Sequence, residues 1–387
     1  MKIVQSCVGK FHHFDLARQL ERRGCLGGIF TGYPPQKLNR EELPKAKVHT
    51  FPWYHVPYMF MGRYIYGSPL HRELGWRGAV AFDKHVSKSR LLPKCDVFVG
   101  LSGAALLSGT RRQALGSKYI CDRGSSHILF QDRILRDEYA RWGLPFAGID
   151  PRVIKREQAE YEASDMITVP SGFVWQSFKD FGFPNEKLAR IPYGVSLSRF
   201  QPVAEPDPER FEVLFVGGVT LRKGIPYLLE SFARLDHPKK RLRIVGKVPE
   251  ETKGLLSRLP TANVEFLGHC PQHELKEIMS RSHVLALPSV EEGLALVQAQ
   301  AMACGCALVA TRNTGASDLF TDGVEGFIIE PHSSDALLEG LSRLAGDRTL
   351  LCSMRAAALQ RVRALGGWTE YGDQFVALCR RLAPQSD

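Results

Sequence analysis

No run of this 387-residue chain approaches the ~18 to 20 consecutive apolar residues that cross a bilayer, so no membrane-spanning helix is expected. Met1 to Val8 carries a lysine and only a brief apolar run before Gly9, which reads as a first strand rather than a signal peptide and sets a cytoplasmic location as the expectation. Cysteine occurs nine times, an odd number with no CxxC pair; only Cys304 and Cys306 lie close together. That pattern excludes a disulfide framework and fits a reducing compartment. His269, Cys270 and His273 are the nearest approach to a ligand cluster, but no second cluster stands at a suitable spacing, and no zinc site is expected. No Asp-x-Asp pair stands at a strand end, which removes the usual carboxylate clamp for a phosphate-bound divalent ion. GxGxxG is missing too: Gly217 and Gly218 are adjacent and no third glycine follows at the required spacing, which argues against a nicotinamide dinucleotide site. Repeats and low-complexity segments are absent.

What is present is an ordinary soluble composition, 44% hydrophobic and 24% charged, in a chain too long for one core. The formal charge of +10 is uneven. From Met1 to Tyr193, 29 Lys and Arg stand against 18 Asp and Glu; the remainder has 22 against 23. A basic first half suits an anionic partner such as a phosphorylated acceptor or an acidic membrane surface, and equally suits a merely solvated surface. Nucleic acid is not expected, because no recognised nucleic-acid module appears. From Phe51 to Tyr66 the sequence FPWYHVPYMFMGRYIY is dense in aromatics and has Arg63 as its one charge. It reads either as a core-filling insertion or as an aromatic flap for a lipid-bearing acceptor or a membrane interface.

Short apolar runs at Ile3 and Val4, Gly28–Thr31, Val48–Phe51, Val97–Gly100, Tyr119–Cys121 and Met166–Val169 alternate with helical patterns, which predicts an α/β layer with a parallel sheet. Ligands of such sheets sit at the carboxyl ends of the strands. Two loops there carry candidate groups: Gly9 with His12 and His13, and the DRGSSH segment ending in His127, whose alternative role is to cap a helix. A polar, proline-rich QPVAEPDPER reads as a linker, and a second set of strands follows at 213–216, 242–245, 264–267, 284–287 and 307–310.

The stretch that organises the second half is PSVEEGLALVQAQAMACGCALVAT, residues 288–311. A strand closed by Pro288 leads through a loop to a helix expected from about Leu294 to Ala303, which Gly305 stops. On a continuous helix Glu292 and Gln300 would stand about 12 Å apart along the axis and about 80° apart around it, able to grip two ends of one extended ligand. The amides of Leu294, Ala295, Leu296 and Val297 between them are expected to be free and to favour an anion.

PSxxEG, seven residues on to a polar residue followed by AMAxG, resembles the donor site of retaining glycosyltransferases of family 4. The resemblance extends to GGVTLRKG at 217–224 and RIPYGVSLSRF at 190–200. It implies the GT-B fold: two Rossmann-like domains facing across a cleft, here 1–197 and 198–370, with a last helix at about 371–387 returning to the first domain. It also implies a hexose moved with retention from a UDP- or GDP-type sugar to the hydroxyl of a glycan or lipid-linked acceptor, in bacterial polysaccharide or glycolipid synthesis. No cofactor and no metal are implied, and peripheral attachment to the inner face of the plasma membrane is possible for such an enzyme. Glu292 matches the family's first donor glutamate with Gly293 beside it, while Gln300 replaces the second, which binds ribose. Lys223 matches the lysine on the diphosphate; Gly218 replaces the arginine, leaving Arg222 to supply that charge. Gly246 and Gly268 fall where the nucleotide base is held, Gly217 and Gly218 in the phosphate loop, and His127 at the family's active-site histidine. Gly9, His12 and His13 lie on the acceptor side. A sugar-nucleotide epimerase on the same fold and a non-catalytic nucleotide-sugar-binding protein are the rival readings.

Overall fold

The computed structural model describes residues 1–65, 68–196 and 199–383. Its first sheet holds β1 (Ile3–Cys7), β2 (Leu26–Thr31), β3 (Val48–Thr50), β4 (Val97–Leu101), β5 (Lys118–Asp122), β6 (Met166–Val169) and β7 (Leu188–Arg190), in the order β3-β2-β1-β4-β5-β6-β7. The second holds β8 (Phe211–Val216), β9 (Lys240–Val245), β10 (Val264–Gly268), β11 (Val284–Leu287), β12 (Ala307–Thr311) and β13 (Gly326–Ile329), in the order β10-β9-β8-β11-β12-β13. Every named strand pair is parallel. Strands such as Val-Leu-Ala-Leu of β11 are buried along their whole length, which is why they read as continuous apolar runs rather than alternating ones. Strand order reverses between β1 and β4 in one sheet and between β8 and β11 in the other. A crevice therefore opens at the carboxyl ends of each pair.

The helix Trp368–Leu382 packs on the first domain's helix His13–Arg22, burying Tyr371, Phe375 and Leu378 in that domain's core. Arg23 ties the two helices together, donating to Thr369 O at 2.8 Å and pairing with Asp373 at 2.8 Å. The expected division at 197/198 lies outside the described residues. The aromatic stretch forms a helix, Pro52–Ile65, with Trp53 75% and Phe60 62% exposed; the side chains of Arg63, Tyr64 and Tyr66 lie outside what is described.

The domains also meet directly. Glu138 of the first domain is fully buried and accepts from Tyr227 Oη at 2.9 Å, and it lies 2.7 Å from His332 Nδ1, both in the second domain. Ser171 Oγ donates to Gly293 O at 2.6 Å.

Candidate active site in the interdomain cleft

A cleft of about 700 Å³ lies between the domains at the strand ends. From the second domain it is walled by Val216, where β8 ends, by Lys223, and by the segment Glu292 to Val297. The loop after β8 turns back at Gly224, whose φ of 69° favours glycine and whose Cβ, if present, would meet Pro288 O at 1.9 Å. That close approach fixes Lys223 against Glu292. Val290 N–H donates to Arg222 O at 2.8 Å, so the two loops are stitched through their backbones as well.

The charges of this wall are already matched. Lys223 Nζ contacts Glu292 Oε1. Arg222 lies 3.5 Å from Glu292 and 3.5 Å from Glu291. Burial first, and then the neighbouring Arg222 charge, pulls Lys223 down to about 7, while Glu291 acts in the opposite direction. Glu291 is wholly buried and reaches across to the first domain, accepting from Ser126 Oγ at 2.8 Å, Ser126 N at 3.1 Å and Gln131 Nε2 at 3.0 Å. Burial would raise its pKa, but Arg222 and those hydrogen bonds outweigh it and hold the carboxylate below its ordinary value.

The helix begins at Leu296, two residues later than expected. The reason is local pairing with the loop after β12: Glu292 N–H donates to Asn313 O at 3.0 Å and Ala295 N–H to Thr314 O at 3.1 Å. Ala295 is therefore not among the free amides. Among the described residues, the N–H groups of Leu294, Leu296 and Val297 have no acceptor, and all three residues line the cleft. Glu292 sits in the loop, so its offset from Gln300 is not the helical one expected. Gln300 instead faces a side pocket of about 140 Å³ with Arg199 and Gly194, joined to the cleft through Leu296, Asp15 and Trp368. Gly217 N–H donates to Val245 O at 2.9 Å and Gly246 N–H to Gly268 O at 2.7 Å, so these glycines and Gly218 form a backbone-lined rim at the ends of β8, β9 and β10.

Across the cleft the first domain contributes Phe11, His12, Ser102, Arg123, Gly124 and Tyr193. His12 Nε2 is 2.6 Å from Asp122 Oδ2, and its ring lies 4.2 Å from that of Tyr193. Asp122 is buried, yet the charges and hydrogen bonds of His12 and His13 overcome the cost of burial and hold it far below the usual carboxylate range. His13 is wholly buried behind His12, 3.0 Å from the same carboxylate oxygen, with its pKa lowered by burial. It can reach an acceptor only through its neighbours. His12, His13 and Asp122 offer donor atoms within 4.8 Å of one another, a set that could also hold a metal ion.

His127 does not reach the cleft. It caps the helix Ile128–Arg141, its Nδ1 accepting from Leu129 N–H at 3.3 Å, and its ring stacks on Phe181 at 4.3 Å. Burial, with Arg123 nearby, lowers it to about 4. The residues of DRGSSH that do reach the cleft are nearer the strand: Arg123, Gly124 and Ser125 line it, and Asp122 holds His12. The strand-end rule pointed to them, since a helix started by His127 carries it away from the sheet edge. Glu291 was also missed; its only signal was being the first of two adjacent carboxylates in the loop.

Two Rossmann-like domains with their strand-reversal points facing across one cleft constitute the GT-B fold. Residues 198–361 match the family described as Glycosyl transferases group 1, and the second domain belongs to it. D-inositol 3-phosphate glycosyltransferase of Streptomyces bingchenggensis is 28% identical over 238 residues, 56% of this chain and 52% of that protein. The chain thus spans about half of that relative's length. Putative colanic acid biosynthesis glycosyltransferase WcaL of Escherichia coli is 28% identical over 326 residues, 76% of this chain and 74% of that one. Among solved structures, Anabaena HepE in complex with UDP and glucose superposes with a TM-score of 0.70 at 17% identity, over 98% of this chain and 100% of that one, a likeness of fold.

Proposed function

We propose that the protein is a retaining, metal-independent glycosyltransferase that moves a hexose from a UDP- or GDP-type sugar to a hydroxyl of a glycan or lipid-linked acceptor, in polysaccharide or glycolipid assembly. The observation that carries this reading is the apposition of Lys223, Arg222, Glu292 and three free amides on one wall with His12 and Asp122 on the other. A diphosphate entering this wall takes the two cations from Glu292 and Glu291 and sits at the start of the helix, where the free N–H groups favour an anion. Glu292, released from Lys223, can then hold hydroxyls of the sugar.

In the transfer step the bond from the anomeric carbon to the phosphate oxygen breaks, and the acceptor oxygen forms its bond on the same face. Charge growing on the departing diphosphate is stabilised by Arg222, Lys223 and the amides. The acceptor proton goes to the departing phosphate, while His12, oriented by Asp122, positions the hydroxyl. HepE, a GT-B neighbour, was solved with UDP and glucose, which supports a nucleotide-sugar donor.

The test is a screen of UDP- and GDP-hexoses with glycan and glycolipid acceptors, reading nucleotide release and the anomeric configuration of the product by NMR. A product of the donor's own configuration, formed at full rate in EDTA, is expected. Inversion, or loss in EDTA restored by Mn²⁺ or Zn²⁺, would overturn the mechanism and direct attention to His12, His13 and Asp122. Nucleotide release with no glycosylated acceptor would favour the epimerase instead.

A further inference from the structure

A second cavity, about 510 Å³, lies in the first domain beside the cleft, between the helices Pro52–Ile65 and Pro69–Lys88. Its wall is apolar and aromatic, with Phe51, Tyr54, Met59, Trp76 and Phe82 prominent. Two helical glycines make the room: a Cβ at Gly75 would lie 3.2 Å from the Tyr58 ring and one at Gly78 3.6 Å from Tyr54 Cβ. Glycine inside a helix costs about 1 kcal/mol relative to alanine, so the space is kept at some expense in stability.

The charged groups at its edge are satisfied within the protein. Arg72 donates to Gly148 O at 2.7 Å, and Asp150 accepts from Arg152 at 2.7 Å. Of the wall's buried side-chain polar atoms, His55 Nε2 has no hydrogen-bond partner among the described residues. Burial pushes this imidazole's pKa down, and its Nε2 is left to make one hydrogen bond. The cavity therefore suits an uncharged, apolar occupant with at most an isolated polar group.

Phe11 joins the two spaces. It lines both this cavity and the catalytic cleft, it is 62% exposed, and its φ of 39° is an outlier for a bulky residue. The helix Pro52–Ile65 is moreover apolar on both sides: Tyr54, His55, Tyr58 and Met59 line the cavity, while Trp53, Val56 and Phe60 are exposed at i, i+3 and i+7.

We infer that this cavity seats the alkyl or polyprenyl chain of a membrane-borne acceptor whose hydroxyl reaches past Phe11 into the cleft. The inference rests on the glycosyltransferase reading and narrows its acceptor to one with a lipid chain.

The experiment is to measure quenching of tryptophan fluorescence by ω-bromo-alkanols of increasing length, below their aggregation limit. It uses the full chain, its Trp53→Phe and Trp76→Phe variants, and Gly78→Leu. Quenching is expected to survive in Trp53→Phe and to fall in Trp76→Phe. Affinity should rise about threefold to fourfold for each added methylene and then level off as the cavity fills. Gly78→Leu should weaken the best probe at least tenfold while thermal protection by UDP or GDP, whichever protects the wild type, is unchanged, which separates loss of the chain site from loss of the donor site. Three results would overturn the proposal: quenching carried by Trp53 alone, affinity that grows with chain length without a plateau, or indifference to Gly78→Leu. The first would point to a protein or bilayer contact on the outer face. Failure of both UDP and GDP to protect any form would count against the donor reading, independently of the chain result.

Discussion

Glu292 contacts Lys223 in the free cleft, with Arg222 3.5 Å away, and in the proposed mechanism both cations leave it for the donor diphosphate. Glu292→Ala should lower kcat by about 100-fold or more, because the sugar loses its anchor while developing positive charge loses its carboxylate. Equal turnover in wild type and variant would remove Glu292 from catalysis. Gln300→Glu tests the side pocket: a carboxylate there, if it faces ribose hydroxyls, gains about 1 kcal/mol per hydrogen bond, or about a fivefold lower donor KM, with kcat little changed. An unchanged KM would place the ribose elsewhere. Lys223, held near 7 by burial and Arg222, binds a diphosphate best when charged. The bound anion raises its pKa, so donor binding takes up a proton when the pH lies between the free and bound values. Donor affinity should therefore be greatest below pH 7 and fall as the pH rises through that window, losing up to tenfold per unit. A donor Kd that stays flat from pH 6 to 9 would show that contact with Glu292 keeps the lysine charged throughout.

At the scale of the loop, Gly293 sits where the domains touch: a Cβ there would meet Gly124 O of the first domain at 1.7 Å. Gly293→Ala should thus hold the domains apart without unfolding either. The expected result is a larger radius of gyration by small-angle scattering and a kcat reduced about tenfold or more, with donor binding retained, since catalysis needs groups from both walls. Wild-type turnover in this variant would show that the close approach is dispensable. The same loop shows what a sequence can and cannot reveal. Strands such as β1, β11 and β12 were legible because two-sided burial writes them as short apolar runs, whereas β7, Leu-Ala-Arg at the sheet edge, carries no such signature. Lys223 and Glu292 were singled out by the family resemblance, and both line the cleft. The delayed start of the helix was not legible, because it depends on carbonyls of Asn313 and Thr314, some twenty residues downstream. His127 misled for a related reason: its residue type suited catalysis, but helix geometry and the Phe181 ring decided its place.

For the whole molecule, the asymmetry of charge and the exposed aromatic helix fall in the same half. The first 193 residues carry all of the net positive charge, and the helix Pro52–Ile65 in that half presents Trp53 and Phe60 to solvent. No described helix is long and apolar enough to cross a membrane, so any attachment through a described helix is to a surface. We propose that the first domain rests on an anionic membrane through these two features. Each basic residue near an anionic bilayer contributes on the order of 1 kcal/mol, screened within a Debye length, whereas aromatics at headgroup level add a part that salt does not remove. The two contributions separate in a cosedimentation experiment with liposomes of increasing anionic lipid content, at low and at physiological salt. Wild type should bind more tightly as anionic lipid increases and lose most, though not all, of that binding on addition of salt. Trp53→Ala combined with Phe60→Ala should keep the salt-sensitive part and lose the remainder, because the variant leaves the charge untouched. Binding that ignores lipid charge, or no binding at low salt, would make the basic half a solvated surface and leave the acceptor to find the cleft from solution.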